Sequence, residues 1–290
     1  MNRPKLIILV GIPGAGKTTY AKDYMEQNPN SLHLSSDTIR AELYGNESIQ
    51  GNPVEVFSLM QKRAVEALNE GNNVIYDATN ITRKDRSAII GICPKFAKIE
   101  AHIIWAPIEM CIERDAKRDR TVGKEVIDRM LKRFQAPYYD EGIDEIKIIR
   151  PYRFSFVNYH DNVIGAMNIP HDNKHHTLSV QQHCREAFEE IECHTNNSHL
   201  MMAACFHDIG KPYVKSFTDS KGNPCDEAHY YQHQCVGTWL SYGISDITPY
   251  SAWLISTHMD PFLNTKYWRN LPDFLKKDID LLHEADKAAH

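Results

Sequence analysis

The chain has 290 residues, 42% of them hydrophobic and 10% aromatic, enough to bury more than one core, and two domains are the working expectation. A net charge of -5 excludes a protein that coats long duplexes by neutralising many phosphates, so any nucleic-acid substrate is expected to be gripped locally. The 7 cysteines form no Cys-x-x-Cys pair, and the longest early apolar run, Leu6 to Val10, is far short of the ~20 residues a membrane span needs; the reading is a cytoplasmic protein with free thiols and no membrane partner.

Charge and histidine divide the chain. Residues 1–150 hold 22 Lys and Arg against 21 Asp and Glu, whereas residues 151–290 hold 11 against 17. Only His33 and His102 fall in the first 150 residues, and the other 13 histidines follow. An acidic, His-rich second half suggests metal chemistry.

In chain order, the first half alternates short β-branched runs (LIILVG, LHLSSD, NNVIYDATN, IEAHIIWAP, EIKIIRP) with helical stretches at 17–27, 53–70, 83–91, 108–118 and 124–134. That alternation predicts a parallel sheet wrapped by helices. After Arg150-Pro151 the strand pattern stops, a Pro- and Asn-bearing linker follows, and helical spacing returns at 177–193, 198–209, 226–242 and 273–288. The expected division is residues 1–152 and 153–290, an α/β domain followed by an all-α one.

Residues 11–18 read GIPGAGKT, directly after a strand and before a helix, the context the Gly-x-x-x-x-Gly-Lys-[Ser/Thr] motif requires. Gly11, Gly14 and Gly16 let the backbone of the loop, with Ala15 and Thr19 in it, turn N–H groups toward nucleotide phosphates. Lys17 adds a positive charge, and Thr18 offers a hydroxyl to Mg²⁺. ATP and Mg²⁺ are the expected cofactors.

With this motif, about residues 5–150 resemble the P-loop polynucleotide kinases. The resemblance implies that in SSDTIR, residues 35–40, Asp37 is the general base on the acceptor hydroxyl and Arg40 grips the acceptor's phosphate; a helix cap at Ser35, Ser36 or Asp37 is the plainer alternative. In DATNITRKDR it implies that Asp77, Thr79, Asn80 and Arg86 line the acceptor site. In CIERDAKRDR, Arg114 and Arg118 lie four apart on one helix face and, with Arg120 nearby, form a lid that clamps ATP phosphates.

His-Asp occurs at 160–161, 171–172 and 207–208, and only His207-Asp208 ends an apolar helical run, LMMAACF, and is followed by IGKP, which stops the helix. Upstream, His176 and His183 are seven apart; downstream come His229 and His233, four apart, then His258 and Asp286. This layout, over about residues 170–290, resembles the HD-domain phosphohydrolases, which are all-helical. The resemblance implies a metal held by His183, His207, Asp208 and Asp286, with His233 and His258 at a second position and Asp208 bridging. Such ligands suit Mn²⁺, Fe²⁺, Co²⁺, Ni²⁺ or Zn²⁺. Only four residues follow Asp286, which predicts a short last helix.

Together the two resemblances imply a bifunctional enzyme that phosphorylates 5′-hydroxyl ends and hydrolyses 2′/3′-phosphate or 2′,3′-cyclic phosphate ends, healing RNA (or DNA) ends for a partner ligase. The alternatives are a small-molecule or nucleoside kinase fused to a nucleotide phosphohydrolase, and a nucleotide-sensing regulator without turnover.

Overall fold

The structure, a computed structural model, describes residues 3–118, 120–151, 154–173 and 177–289. The chain forms two compact units, Met1–Met130 with Pro137–Tyr152, and Leu131–Ala136 with Arg153–His290.

The first unit runs β1 (Lys5–Val10), α1 (Lys17–Gln27), β2 (Ser31–Ser35), α2 (Ser36–Tyr44), α3 (Pro53–Asn69), β3 (Asn73–Asp77), α4 (Arg83–Ile90), β4 (Lys98–Ile104), α5 (Ile108–Ala116), α6 (Lys124–Leu131) and β5 (Glu145–Ile149). The five strands are all parallel, in the order β2-β3-β1-β4-β5. β1 is covered on both faces, as a central parallel strand must be, and this is why Leu6 to Val10 reads as an unbroken apolar run. The loops leaving β1, β2, β3 and β4 emerge at one edge of the sheet around β1, where the strand order reverses and ligands of such sheets bind.

Two differences from the sequence reading lie here. The second strand ends at Ser35, because the Ser35 hydroxyl accepts from Asp37 N–H and starts α2 at once. α6 ends at Leu131, and residues 131–136 belong to the second unit, where Phe134 is buried edge-on to Trp239 and Tyr242.

The second unit runs α7 (Phe156–Met167), α8 (Val180–His194), α9 (Ser198–Phe206), α10 (Lys211–Val214), β6 (Ser216–Thr218), β7 (Pro224–His229), α11 (His233–Ser241), α12 (Pro249–Thr257), α13 (Asp260–Leu263), α14 (Lys266–Asn270) and α15 (Asp273–Ala288). α8 packs on α9 and α15, and α12 on α9 and α11. A Ser179–Gln182 capping box starts α8. The expected helix over 226–242 is half strand: Pro224–His229 pairs antiparallel with Ser216–Thr218, and the helix begins only at His233. α7 occupies the stretch read as linker. The last helix is not short: α15 has 16 residues and buries Leu275, Ile279, Leu282 and Ala285, a stripe at helical spacing. No helix among the described residues is long and apolar enough to cross a membrane.

Candidate phosphate-binding site and metal centre

The loop after β1 turns through Gly14 at φ 77° and Gly16 at φ 106°, left-handed values that favour glycine. Gly14 is demanded twice, since a methyl group there would lie 2.1 Å from the Cys111 carbonyl oxygen of α5. Ala15 is buried, whereas Thr18 and Thr19 are exposed at the start of α1. The Lys17 ammonium donates to the carbonyls of Gly11 and Ile12 at 2.9 and 3.1 Å, so it is coiled back over its own loop. Burial pulls the Lys17 ammonium below its ordinary value; Asp77, Cys111 and Asp37 oppose this, and Arg118 adds to it. Those couplings place two carboxylates and one lid arginine in the field of the same ammonium.

The segment after β3 braces the loop. The Thr18 hydroxyl donates to Asp77 Oδ2 at 3.2 Å, and His33 Nε2 is 3.0 Å from the same oxygen. Gly11 N–H donates to the Thr79 carbonyl, and Asn80, at φ 47°, donates to the Leu9 carbonyl at 2.8 Å. The expectation that Arg86 meets the acceptor is corrected. Its side chain is fully buried, with Nε and Nη2 each 2.7 Å from a Glu141 oxygen and Nη1 on the Asn80 carbonyl, so it holds the 80–86 turn to the Tyr139–Glu141 turn. Thr18 with Asp77 fits Mg²⁺, since a hydroxyl and a carboxylate are the oxygen ligands that ion takes.

Because Ser35 supplies the α2 cap, the Asp37 side chain is left over, and Arg40 Nη1 and Arg120 Nη1 donate to its Oδ1 at 2.8 and 3.0 Å. Arg114 reaches the Gly14 carbonyl at 3.4 Å, and Arg118 is exposed on the same helix. The buried Asp115 accepts from Val122 and Gly123 N–H, folding the chain back after α5. His33 and the Arg120–Asp37 contact went unread in the sequence; nothing in local spacing signals either, since each joins separate strands or loops.

In the second unit the six implied ligands converge. His183 and His207 Nε2 lie 2.8 and 3.2 Å from Asp286 Oδ1, and each 3.4 Å from Asp208 Oδ2. The other Asp208 oxygen is 3.1 Å from His233 Nε2 and 3.9 Å from His258 Nε2. Asp208 therefore stands between two groups, His183–His207–Asp286 and His233–His258. Each ring's Nδ1 lies on a backbone carbonyl: His183 on Ala289, His207 on Ala204, His233 on Tyr230 and His258 on Ile255. A carbonyl only accepts, so Nδ1 carries the proton and the neutral ring presents its Nε2 lone pair inward. His183 and His207 Nε2 are 3.2 Å apart and those of His233 and His258 3.1 Å, so lone pairs face one another, an arrangement that a cation between them relieves. Burial, with the His233 and His207 charges, pushes His258 down to about 3, keeping it neutral. Burial alone would raise Asp208, but Lys211, His207 and His233 hold its carboxyl well below the usual range. The residues fit a transition-metal pair of nitrogen and oxygen ligands.

Lys211, read in the sequence only as part of a helix stop, is buried with Nζ 2.5 Å from Asp208 Oδ2 and 3.1 Å from His171 Nε2. His229 is not on a helix with His233; it ends β7 and stacks on Tyr231 at 5.2 Å. His176 lies outside the described residues.

Residues 6–137 match a family model described as an AAA domain, and residues 174–237 one described as an HD domain. Over 138 residues the chain is 29% identical to L-seryl-tRNA(Sec) kinase of Methanococcus maripaludis, covering 46% of this chain and 53% of that protein. Over 148 residues it is 27% identical to transcription factor bHLH140 of Arabidopsis thaliana, covering 49% of this chain and 15% of that protein. The chain thus spans about half of one of these relatives and a small part of the other. Among solved structures, a chain of the Pnkp1/Rnl/Hen1 RNA repair complex is 25% identical, with a TM-score of 0.41 over 45% of this chain and 43% of that one. This chain carries a P-loop domain of the AAA-model, kinase-like type, followed by an HD domain.

Proposed function

We propose that the chain heals broken RNA ends, with residues 1–152 acting as an ATP-dependent polynucleotide 5′-hydroxyl kinase and residues 153–290 as a metal-dependent 2′/3′-phosphatase or 2′,3′-cyclic phosphodiesterase. The observation that carries it is the pairing, in one chain, of a phosphate cradle flanked by an acceptor-type carboxylate and arginines with a buried set of four imidazoles and two carboxylates. The L-seryl-tRNA(Sec) kinase relative is by its name a kinase that acts on an RNA-borne group, which supports an RNA acceptor.

In the kinase, the loop amides and Lys17 hold the triphosphate, and Thr18 with Asp77 would hold Mg²⁺, which offsets phosphate charge when bound. Asp37 orients the acceptor hydroxyl and takes its proton as the γ-phosphoryl transfers. Arg114 and Arg118 lie where guanidinium charge would meet the transferring group. In the hydrolase, His183, His207, Asp208 and Asp286, with His233 and His258, would hold two divalent ions, which supply an activated water and neutralise a phosphoester. Lys211 keeps Asp208 ionised and therefore able to bridge. The 5′-phosphate and 3′-hydroxyl so made are what a ligase partner joins.

The test is a panel of oligonucleotides with defined termini, scored for labelling from ATP and for phosphate release. Labelling of 5′-hydroxyl RNA and release from 2′,3′-cyclic or 3′-phosphate ends is expected; transfer only to a nucleoside or sugar would replace this reading with a small-molecule kinase. Loss of one activity in Lys17→Ala and of the other in Asp208→Ala, each with its counterpart kept, separates catalysis from sensing.

A further inference from the structure

We propose that Arg120 is a specificity-determining residue of the kinase site, which with Arg40 forms a two-guanidinium seat for a phosphate on the acceptor. This rests on reading Asp37 as the acceptor-side base. Arg40 and Arg120 converge from separate elements, one on α2 and one in the turn after α5, and both donate to the same Asp37 oxygen at 2.8 and 3.0 Å. Both are largely covered, at 13% and 16% side-chain exposure, while Asp37 at 38% is open to an incoming molecule.

The electrostatics do not balance: two guanidinium ions share one carboxylate, leaving a net charge of +1 in a partly desolvated pocket. Nor do the hydrogen bonds. A guanidinium has five N–H donors, and Arg40 Nε is buried with no hydrogen-bond partner among the described residues. Donor excess and positive charge beside an acceptor base call for an anion on the acceptor. A planar fork suits a phosphate's oxygens. The acceptor class is thus a hydroxyl compound bearing a phosphate on the same sugar, a nucleoside 3′-phosphate or the first internucleotide linkage of an oligonucleotide. Asp37 Oδ1 holds the two arginines until that phosphate arrives, and on its arrival they turn to it, releasing the carboxylate for the hydroxyl. Arg120 can do this because Asp115 pins the turn at Val122 and Gly123, fixing where the arginine's backbone lies.

The experiment compares a nucleoside 3′-phosphate with the same nucleoside as acceptors, using ATP and Mg²⁺, in wild type, Arg120→Ala and Arg120→Lys. In parallel, calorimetry measures binding of the 3′-phosphate without ATP. The wild type is expected to prefer the phosphorylated acceptor, and Arg120→Ala to shrink that preference by about 10- to 100-fold, through KM, as for a lost hydrogen bond to a charged group. Arg120→Lys should fall between, keeping charge and losing the fork. Calorimetric affinity should drop by the same factor. An unchanged preference, or equal losses on both acceptors with a raised KM for ATP, would overturn the proposal and place Arg120 at the nucleotide. A wild type that labels neither acceptor sinks the kinase reading itself. Should Arg120→Ala not fold, Arg120→Lys and Arg120→Gln carry the same comparison.

Discussion

The two sites are made of opposite materials. Around Lys17 the groups that would meet a phosphate are backbone amides of one short loop, with Thr18, Thr19, Arg114 and Arg118 open to water. Around Asp208 they are side chains from α8, α11, α12, α15 and the ends of α9 and α12, and His183, His207 and His258 have no exposure at all. A cradle of peptide dipoles can wait in water at little cost, because solvent satisfies it until a charged ligand comes. A buried group of imidazoles and carboxylates cannot, since desolvated charge must be matched on the spot. The first kind of site is therefore local and contiguous, and the second is inseparable from the core that holds it.

If that contrast is right, the largest effect belongs to Asp208. Replacing it by Asn should abolish phosphate release and metal retention, and leave the buried Lys211 ammonium without its anion, at about 3–5 kcal/mol of stability. Metal content and a thermal melt check this, with 5′-labelling as the internal control; retained metal would break the comparison. Arg86→Met comes next. It strands Glu141, 2% exposed, and should cost about 3–5 kcal/mol as any broken buried pair does. A stable variant whose KM for the acceptor rises would return Arg86 to the acceptor site. Lys17→Ala should lower kinase turnover by about 10²–10³ fold, the loss typical of one preorganised electrostatic contact, with an unchanged melt because the side chain lies at an open loop.

The same contrast explains what could be read from the sequence. GIPGAGKT announced its site because loop, charge and hydroxyl are adjacent in the chain and flanked by a strand and a helix. Asp37 and Arg40 were readable as a pair, but not that Ser35 caps α2 and so frees Asp37, nor that Arg120 reaches it from 83 residues away. His183, His207, Asp208 and Asp286 emerged only as a set. His229 misled because its spacing to His233 is helical while Pro224–His229 pairs as a strand, tertiary pairing overriding a four-residue period. Asp77, Thr79, Asn80 and Arg86 share one segment, yet they face a loop, a carbonyl and a buried carboxylate in turn. Nothing in DATNITRKDR distinguishes these. Lys211 passed unnoticed because a lysine after Ile-Gly reads as a helix end, and its burial is decided by α11 and His171 packing over it.

The smallest effects come from a matched pair of glycines, one in each site. A methyl group at Gly14 would meet the Cys111 carbonyl at 2.1 Å, and one at Gly210 would meet the His233 carbonyl at the same distance and Gly237 N at 2.6 Å. Neither obstacle is a flexible side chain, so backbone must move, at about 1–3 kcal/mol for an overpacked contact. At Gly14, in the left-handed region, what moves is the surface loop; Gly14→Ala should weaken nucleotide binding, measured with ADP, more than it lowers the melting temperature. At Gly210 what moves is α11, which carries His233. Gly210→Ala should lower the melting temperature and metal content together, because in a site made of core side chains the ligands cannot shift without the packing. Equal responses from the two variants would mean that backbone-built and core-built sites do not differ in this protein.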